Sequence, residues 1–525
     1  MNLPRVARTL VQLHPLQVLA RPIALGGRAL GRGSTAALAP ALRSGFAPPK
    51  APFVAFADAE RRRGRARLAA IPEGSLLHAY ESAYGYELGA DPTAPAPGEW
   101  EGPVASHPFP ASVRARRLAV AARLGRPGLS AELARACRAV ALGLELHLMA
   151  NHLLENAIGL VCGGAVARGL EAEAWLRLGS RLLSWQLPEQ FLSDGGHFEL
   201  SASYHLSVTA GLLEAIELSL AAGREVPELW RDTARRALAW AAAVRAPDGT
   251  YPLFNDAALD AAPEIDGVLA LGAALGLLDA GAAPGSTENA PTENAPTENA
   301  PPADQPALLH LPATGWVILR FGERAWLAFD AGNDGAAYQP GHVHADALTF
   351  ELWVEGERAV VDHGVSSYIA DPDREETRAT RAHNTVELGG ADSSEVWSAF
   401  RVGRRARAHV RRLERAPTHL VVEAEHDGYR FLPGAPVHRR ELALSERELA
   451  IRDEIVGGRT GVCSRLRLDE AALQRRSIKI DGVQLAPERS PGVWYPCFRQ
   501  PRAAVVFSGR DEARDGWRGG FRLMW

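Results

Sequence analysis

The spacing of apolar residues changes once along the chain, and this change limits the folds that are open to it. From about residue 75 to 280, Leu and Ala recur every three or four residues, which is the period of an amphipathic helix. Beyond residue 305, short runs of alternating apolar and polar residues are separated by tight turns, which predicts antiparallel strands. Helices first and strands second predict a multidomain α+β chain, with an antiparallel β-sandwich after a helical domain.

The segments that carry these two patterns are short and numerous. Helices are predicted at 113–124, 130–147, 149–168, 171–186, 203–222, 226–244 and 264–279. Strands are predicted at 316–321, 325–329, 348–354, 359–362, 385–388, 420–424, 439–444, 449–455 and 503–507. The successive helix pairs have similar lengths and show no short repeat period typical of a solenoid. They therefore indicate an N-terminal (α/α) toroid, a curved ring of paired helices.

Composition divides the chain into four segments. Residues 1–70 are rich in Arg, Pro, Ala and Gly and are predicted to form an N-terminal arm, while residues 71–282 carry the helical pattern. The sequence Thr-Glu-Asn-Ala then recurs three times, with Pro after each copy. Because such a stretch has no large apolar side chain to bury, residues 283–304 are predicted to be a linker. Residues 305–525 form the predicted sandwich.

The overall composition excludes several function classes. A chain of 525 residues is too long for one ordinary core. Its net charge of −4 and scattered basic residues argue against a nucleic-acid surface. It has no run of about 18 apolar residues, so no membrane span is expected. The four cysteines show no disulfide or metal-binding spacing. The N-terminus lacks the apolar core of a signal peptide, so a cytoplasmic location is expected, with a periplasmic or secreted one left open.

Polar residues interrupt the helical pattern at three places. These are Asn151-His-Leu-Leu-Glu-Asn, Gly195-Gly-His-Phe-Glu-Leu-Ser-Ala-Ser-Tyr-His and Phe254-Asn-Asp. In the first, Asn151 and Glu155 lie four residues apart and therefore share one helix face. A solvated surface face is the alternative explanation. In the second, Glu199 and Tyr204 flank the start of a predicted helix, for which Ser201 or Ser203 is a candidate cap.

Histidines cluster with carboxylates in the strand-rich half. The stretch contains Gly341-His-Val-His-Ala-Asp, Val360-Val-Asp-His-Gly and Arg381-Ala-His-Asn-Thr. Imidazole titrates near neutral pH and binds transition metals, so this cluster suggests a metal site, proton transfer or both. Polar residues that satisfy backbone groups at strand ends are the alternative. A simple hairpin over residues 347–364 would place Asp362 opposite Phe350, so the segment carrying His344 must fold back to reach it.

Taken in order, these motifs resemble the heparinase II/III-like family of polysaccharide lyases, which has alginate-lyase relatives. The resemblance covers roughly residues 75 to 410. It implies an (α/α) toroid joined to an antiparallel β-sandwich, and a carbon–oxygen lyase that cleaves a uronic-acid-containing glycan by β-elimination. The implied partner is an acidic polysaccharide or oligosaccharide, without nucleic acid or a membrane span, and a homodimer is compatible with it.

The resemblance also assigns roles to individual residues. The implied catalytic residues are Asn151, His152, Tyr204 and His342. The implied substrate-binding residues are Glu155, Glu199, Asn255, Arg378 and Arg381. The implied ligands of a structural Zn²⁺, which would hold the loop carrying His342 in the cleft, are His344, Asp362 and His383.

One departure from the family pattern leaves other functions open. Relatives commonly carry an aromatic residue in the run before Ala-His-Asn. In this sequence no aromatic residue lies between Tyr368 and His383. Either Tyr368 replaces it or a substrate contact is missing. A glycoside hydrolase acting on an acidic polysaccharide is one alternative, with carboxyl groups from Glu155, Glu199 and Asp256. The other is a non-catalytic glycan-binding protein of exopolysaccharide assembly.

Overall fold

The computed structural model describes residues 3–22, 107–125, 127–278, 305–333 and 335–525. Helices come first and antiparallel sheets follow. The predicted linker, 283–304, lies outside the described residues, as does most of the predicted arm, so the four segment boundaries stay predictions. In the part that the structure describes, no helix is both long and apolar enough to cross a membrane.

The helices follow the predicted segments closely. They are α1 (Leu3–Leu10), α2 (Pro108–Arg123), α3 (Ser130–Leu142), α4 (Ala150–Val166), α5 (Leu170–Gln190), α6 (Ala202–Ala221), α7 (Glu228–Val244) and α8 (Ile265–Ala274). α1 was not predicted, α2 begins five residues before its predicted start, and α8 ends five residues before its predicted end. α3 also ends five residues early, at Leu142. The backbone turns there, and the amides of Leu148 and Met149 both donate to the carbonyl of Glu145. This turn directs the chain into α4.

Helix α4 lies at the centre of the helical half and is buried on nearly all sides. It approaches its neighbours closely because glycines lie at the contacts. A Cβ atom at Gly159 would lie 2.8 Å from the backbone of Ser112 in α2, and one at Gly164 would lie 2.6 Å from the backbone of Leu176 in α5. Larger side chains would force these helices apart. The polar residues of α4 are therefore held in a tightly packed frame.

Two antiparallel sheets form the second half. The strands are β1 (Pro306–Leu311), β2 (Trp316–Phe321), β3 (Ala325–Asp330), β4 (Phe350–Val354), β5 (Glu357–Val360), β6 (Val386–Leu388), β7 (Val396–Trp397), β8 (Arg401–Val402), β9 (Ala408–Arg415), β10 (Leu420–His426), β11 (Val437–Leu444), β12 (Glu448–Val456), β13 (Thr460–Asp469), β14 (Lys479–Val483), β15 (Glu488–Cys497), β16 (Gln500–Ala513) and β17 (Trp517–Met524). A nine-stranded sheet has the order β1-β2-β3-β4-β5-β13-β16-β15, with β6 also paired to β13. A six-stranded sheet has the order β14-β17-β12-β11-β10-β9, and β7 pairs with β8. Two short helices, α9 (Pro372–Arg378) and α10 (Glu470–Arg475), lie between strands.

Apolar side chains fill the space between the two sheets and also the junction with the helices. Phe350, Leu442 and Ile451 belong to the core between the sheets. On the other face of the nine-stranded sheet, Trp316 packs against Trp240 of α7 with ring centroids 5.1 Å apart. The helical half and the sheets therefore share a buried core, and loops from both meet at its edge.

Candidate active site

The predicted catalytic residues converge where the helices meet the nine-stranded sheet. Asn151 lies in the first turn of α4, Tyr204 in the first turn of α6, and His342 in the loop between β3 and β4. The approach to α4 is strained, because Met149 and Ala150 have φ values of 58° and 49° without being glycine. Strained backbone of this kind persists only where the surrounding packing holds it. Both residues are fully buried.

A stacked pair of rings connects the two halves of the site. The ring of Tyr204 lies on the imidazole of His342, with centroids 3.8 Å apart. The Tyr204 hydroxyl donates to the hydroxyl of Tyr368 at 3.1 Å. Phe400, which is 41% exposed, presents its ring edge to His342 and to Tyr368. Two groups able to exchange protons therefore lie in contact, next to an exposed aromatic face.

Asp256 holds this arrangement together from the loop after α7. Its carboxylate accepts from Nδ1 of His342 at 2.9 Å, from Nε2 of His344 at 2.8 Å and from two nitrogens of Arg374. Burial alone would raise the pKa of Asp256, but Arg374 and the two imidazoles hold it well below its usual range. A permanently charged carboxylate orients both imidazoles. Nδ1 of His342 is thereby engaged, so Nε2 is the ring nitrogen that remains for proton transfer.

Asn151 and Glu199 bring unsatisfied polar atoms to the same place. The amide oxygen of Asn151 and both carboxyl oxygens of Glu199 are buried and have no hydrogen-bond partner in the described structure. Burial raises the pKa of Glu199, although the nearby His342 opposes this. Buried polar atoms without partners are costly to a fold, so they indicate a place where a polar ligand completes the bonding.

His152 lies at the rim of this group. Its Nδ1 is 3.3 Å from Oε1 of Glu145, and its ring packs on Phe109 with centroids 4.7 Å apart. Burial alone would lower the pKa of His152, but the carboxylate of Glu145 reverses this and raises it. About a quarter of the side chain stays exposed (23%), so an anionic ligand can reach it.

A candidate metal site lies behind His342. The side chains of His344, Asp346 and His383 each place one ligand atom within 4.8 Å of the others, and all three residues are buried. Nδ1 of His344 and Nε2 of His383 have no hydrogen-bond partner among the described residues. Burial lowers the pKa of His344 to about 3, so its ring is the neutral form that binds metals. Two imidazole nitrogens and a carboxylate are a set that suits Zn²⁺.

This group differs from the predicted one in its carboxylate. Asp362 is not a member, because its Oδ2 accepts from Nδ1 of His383 at 2.8 Å and its Oδ1 accepts from the amide of Gly364. Asp362 therefore orients a candidate ligand, as Asp256 does for His344. Histidine ligands commonly donate their second ring nitrogen to a carboxylate in this way. The residues present fit a metal ion, with Asp346 as the correction to the predicted set.

Glu155 is not available to bind substrate. Its carboxylate is buried and accepts from Nη1 of Arg116 at 2.8 and 2.9 Å, while Arg116 also donates to Glu214. This ion-paired group holds α2, α4 and α6 together. Asn151 and Glu155 lie one turn apart on one face of α4, as their four-residue spacing predicts, but Glu155 is paired with Arg116 of α2, whereas the amide oxygen of Asn151 has no partner in the described structure.

Three other predicted substrate contacts also have partners within the protein. The side chain of Asn255 donates to the carbonyl of Leu200 and accepts from the amide of His344, so it positions two site segments. Arg378 is buried and donates to the carbonyls of Val343 and Ser398. Arg381 is half exposed and pairs with Glu376 outside the cleft. These residues support the site rather than line it.

Sequence reasoning passed over several residues that shape the site. Arg374 and Asp346 were not predicted, and Asp256 entered only as a carboxyl group of the hydrolase alternative. Tyr368, one of two explanations for the missing aromatic residue, does reach Tyr204. The one signal for Asp346 is its place in Gly-His-Val-His-Ala-Asp, two residues after His344. Arg374 carries no local signal, because 118 residues separate it from Asp256.

Two family models match the chain, one over the helices that carry the site and one over the sheets. The model described as Heparinase II/III N-terminus matches residues 142–268, and the model described as Heparinase II/III-like, C-terminal matches residues 303–517. A heparin-sulfate lyase of Bacteroides stercoris is 25% identical over 324 residues, and one of Bacteroides thetaiotaomicron is 25% identical over 346. Each match covers 59% of this chain but only 44% and 45% of the relative, so the chain spans less than half the length of these curated relatives.

Solved structures agree at the level of the fold. A crystal structure of heparinase III superposes with a TM-score of 0.65 at 16% identity, covering 92% of this chain and 87% of that one. A heparan sulfate lyase HepC mutant from Pedobacter heparinus superposes with a TM-score of 0.61 at 18% identity, covering 86% of this chain and 73% of that one. This likeness concerns the fold. The two family models, which between them span the helices of the site and the sheets, show that the chain belongs to the heparinase II/III-like family.

Proposed function

We propose that this protein is a polysaccharide lyase that cleaves a uronic-acid-containing glycan by β-elimination. The observation that carries the proposal is the contact between Tyr204 and His342 beside the buried side chain of Asn151, whose amide oxygen has no partner in the described structure. Curated relatives called heparin-sulfate lyases make glycosaminoglycans of the heparan sulfate type the first substrate class to test. The partner is then an acidic polysaccharide or oligosaccharide.

The chemistry of elimination explains the use of each group. The C5–H bond of a uronate breaks only if the neighbouring carboxylate is neutralised, because the negative charge opposes removal of the proton. Asn151 and His152 are placed to hydrogen-bond that carboxylate and the charge that develops on it. Tyr204 and His342 are the groups placed to take the C5 proton and to protonate the departing C4 oxygen. A C4–C5 double bond forms as the C4–O bond breaks.

The proposed metal is Zn²⁺ held by His344, Asp346 and His383. When bound, the ion neutralises buried negative charge and fixes the loop that carries His342. Asp256 and Asp362 hold the two ligand rings from behind. Because His344 and His342 share Asp256, the position of the metal ligands and that of the catalytic imidazole are coupled through one carboxylate.

The finer architecture belongs to the same proposal. The helices from Pro108 to Ala274 are consistent with an (α/α) toroid, in which the inner ends of the helices line the cleft and the sandwich supplies His342. The proposed division is an arm over 1–70, the toroid over 71–282, a linker over 283–304 and the sandwich over 305–525. A homodimer stays a prediction, which light scattering of the purified protein tests.

Hydrolysis is disfavoured by the state of the carboxyl groups. A hydrolase needs two carboxyl groups that act across the scissile bond. Glu155 is ion-paired with Arg116, and Asp256 with Arg374, so neither can serve as a general acid or base. Among the described residues, Glu199 has no arginine partner, which leaves it as the single carboxyl group of the three that hydrolysis could use.

A screen of acidic polysaccharides tests the proposal. Heparan sulfate, alginate, hyaluronan and polygalacturonate should be incubated separately with purified protein, and the ultraviolet absorbance of the unsaturated uronate recorded. Absorbance should rise with at least one polymer and should be absent with Tyr204→Phe. New reducing ends without that absorbance would indicate hydrolysis instead. Binding without either signal would indicate a glycan-binding protein.

A further inference from the structure

Residues 3–22 are the part of the N-terminal arm that the structure describes, and they contact both the helical half and the sheets. At one end the arm is attached to the segment that contains β7 and β8. Arg8 donates to both carboxyl oxygens of Glu395 at 2.9 and 2.7 Å. The hydroxyl of Thr9 donates to the carbonyl of Val402 at 3.2 Å, and the side chain of Gln12 donates to that of Gly403 at 3.0 Å. With the bond from Arg5 to Glu395 at 3.3 Å, five hydrogen bonds fix this end.

At its other end the arm is attached to the helical half. The side chain of Gln17 is buried and donates to the carbonyl of Leu148 at 3.0 Å. The ring of His14 meets the ring of Tyr338 edge-on at 5.4 Å. Tyr338 in turn donates to Glu189 of α5 at 2.6 Å. The buried Gln17 is the strongest of these contacts, because an amide is buried only where its hydrogen bonds are satisfied.

Both attachment points adjoin the candidate active site. Leu148 lies three residues before Asn151, on the strained turn that begins α4. Val402 lies two residues after Phe400, whose ring centroid is 6.0 Å from that of His342. Residues 3–22 are therefore bonded to one segment on each side of the reactive groups.

We propose that residues 3–22 close one end of the cleft, so that a glycan enters from the opposite side and is cut close to its end. This inference rests on the proposed lyase function and adds its mode of action. Cleavage inside a polymer requires a groove that is open at both ends. A wall close to the reactive groups leaves room for few sugar units beyond the bond that breaks, which favours release of short products from a chain end.

The test removes one anchor at each end of the arm in the full-length protein. The double variant Arg8→Ala/Gln17→Ala loses both bonds of Arg8 to Glu395 and the bond to Leu148, while Arg5 keeps its 3.3 Å contact with Glu395. A matched control is Arg235→Ala, which loses an exposed Arg–Glu pair with Glu228 of the same 2.7 Å length, away from the cleft. A second control is Leu19→Ala, which truncates an exposed side chain of the arm itself.

Two readouts are compared on heparan sulfate, or on whichever polymer of the screen is cleaved. The first is the loss of viscosity per unit of ultraviolet absorbance, together with the size of the products. The second is amide hydrogen exchange of residues 146–151 and 401–404, which does not depend on activity. Wild-type protein and both controls should release short unsaturated products with little early loss of viscosity. The double variant should lower viscosity several-fold faster per bond cleaved and exchange faster in both segments.

The outcomes separate the two proposals. No absorbance from any polymer with the wild-type protein would overturn the lyase function and, with it, the mode of action. Absorbance with a rapid loss of viscosity in the wild-type protein would leave the lyase intact and overturn the closed end. Identical product sizes in the wild-type protein and the double variant, with faster exchange in the variant, would show that the arm is released without any effect on substrate access, which also overturns it.

Discussion

At the scale of the residue, the Tyr204 hydroxyl is the most direct test of the proposed proton transfers. Tyr204→Phe keeps the ring on His342 and removes the donor to Tyr368. Turnover should fall about 100-fold or more, the usual scale for a positioned acid–base group, while the melting temperature stays close to that of the wild type. Tyr495→Phe, a change of the same size beside His363, is the control and should keep its activity. Equal activities of the two variants would remove Tyr204 from the mechanism.

The two carboxylates near His383 make a second prediction at this scale. Asp346→Asn removes a proposed ligand, so protein purified without added metal should lose its zinc by elemental analysis. Asp362→Asn removes only the acceptor of Nδ1 of His383, so metal affinity should fall by about 10- to 100-fold and zinc should still bind at higher concentration. A greater loss of zinc from Asp362→Asn than from Asp346→Asn would instead make Asp362 the ligand. Wild-type protein without bound metal would rule out the site.

At the scale of the element, one buried arginine connects the two sheets behind the site. Arg440 of β11 pairs with Asp453 of β12 and donates to the carbonyls of Leu348 and Asn384, which flank the proposed metal ligands. Arg440→Met leaves Asp453 buried without its partner, so the free energy of unfolding should fall by about 3–5 kcal/mol. Arg452→Met, on the exposed face of β12, should cost about 1 kcal/mol or less. Urea denaturation of both variants measures the difference, and similar losses would contradict the bridging role.

At the scale of the whole molecule, buried neutral histidines make the fold sensitive to acid. Burial lowers the pKa of His205 to about 3, and it also lowers the pKa of His426 and of His438. Below about pH 6.5 these histidines bind protons in the unfolded state, whereas in the folded state the buried rings do not. Acid therefore stabilises the unfolded state relative to the folded state. The free energy of unfolding should therefore fall as the pH drops below about 6.5, and remain constant with respect to these groups above it.

A single substitution isolates one of these histidines. His205→Gln retains a donor for the carbonyl of Ala237 but cannot be protonated, so the fall in stability with acid should become shallower by up to about 1.4 kcal/mol per pH unit. His419→Gln, at a half-exposed position in the turn between β9 and β10, should leave the slope unchanged. Urea denaturation between about pH 5 and pH 8, in the presence of a chelator, gives both slopes. A slope in His205→Gln equal to that of the wild type would refute the assignment.

The order of the elements and the motifs of the site can be predicted from local sequence patterns. The helical and two-residue periods predict the helices and strands because each element must bury one face, and that requirement is written locally in the chain. Asn151, Tyr204 and His342 were found for a similar reason, since each stands within a short polar motif. The motif order also predicted the heparinase II/III-like family, which the family models confirm.

The availability of each polar residue depends on partners that only the fold brings to it. Glu155 and Asn151 share a helix, yet Glu155 is paired with Arg116, whereas the amide oxygen of Asn151 has no partner in the described structure. Asp346, rather than Asp362, lies with His344 and His383 in the candidate metal group. These partners lie tens to hundreds of residues away, and a local pattern cannot specify a charge that approaches from another element. Packing alone brings those charges together.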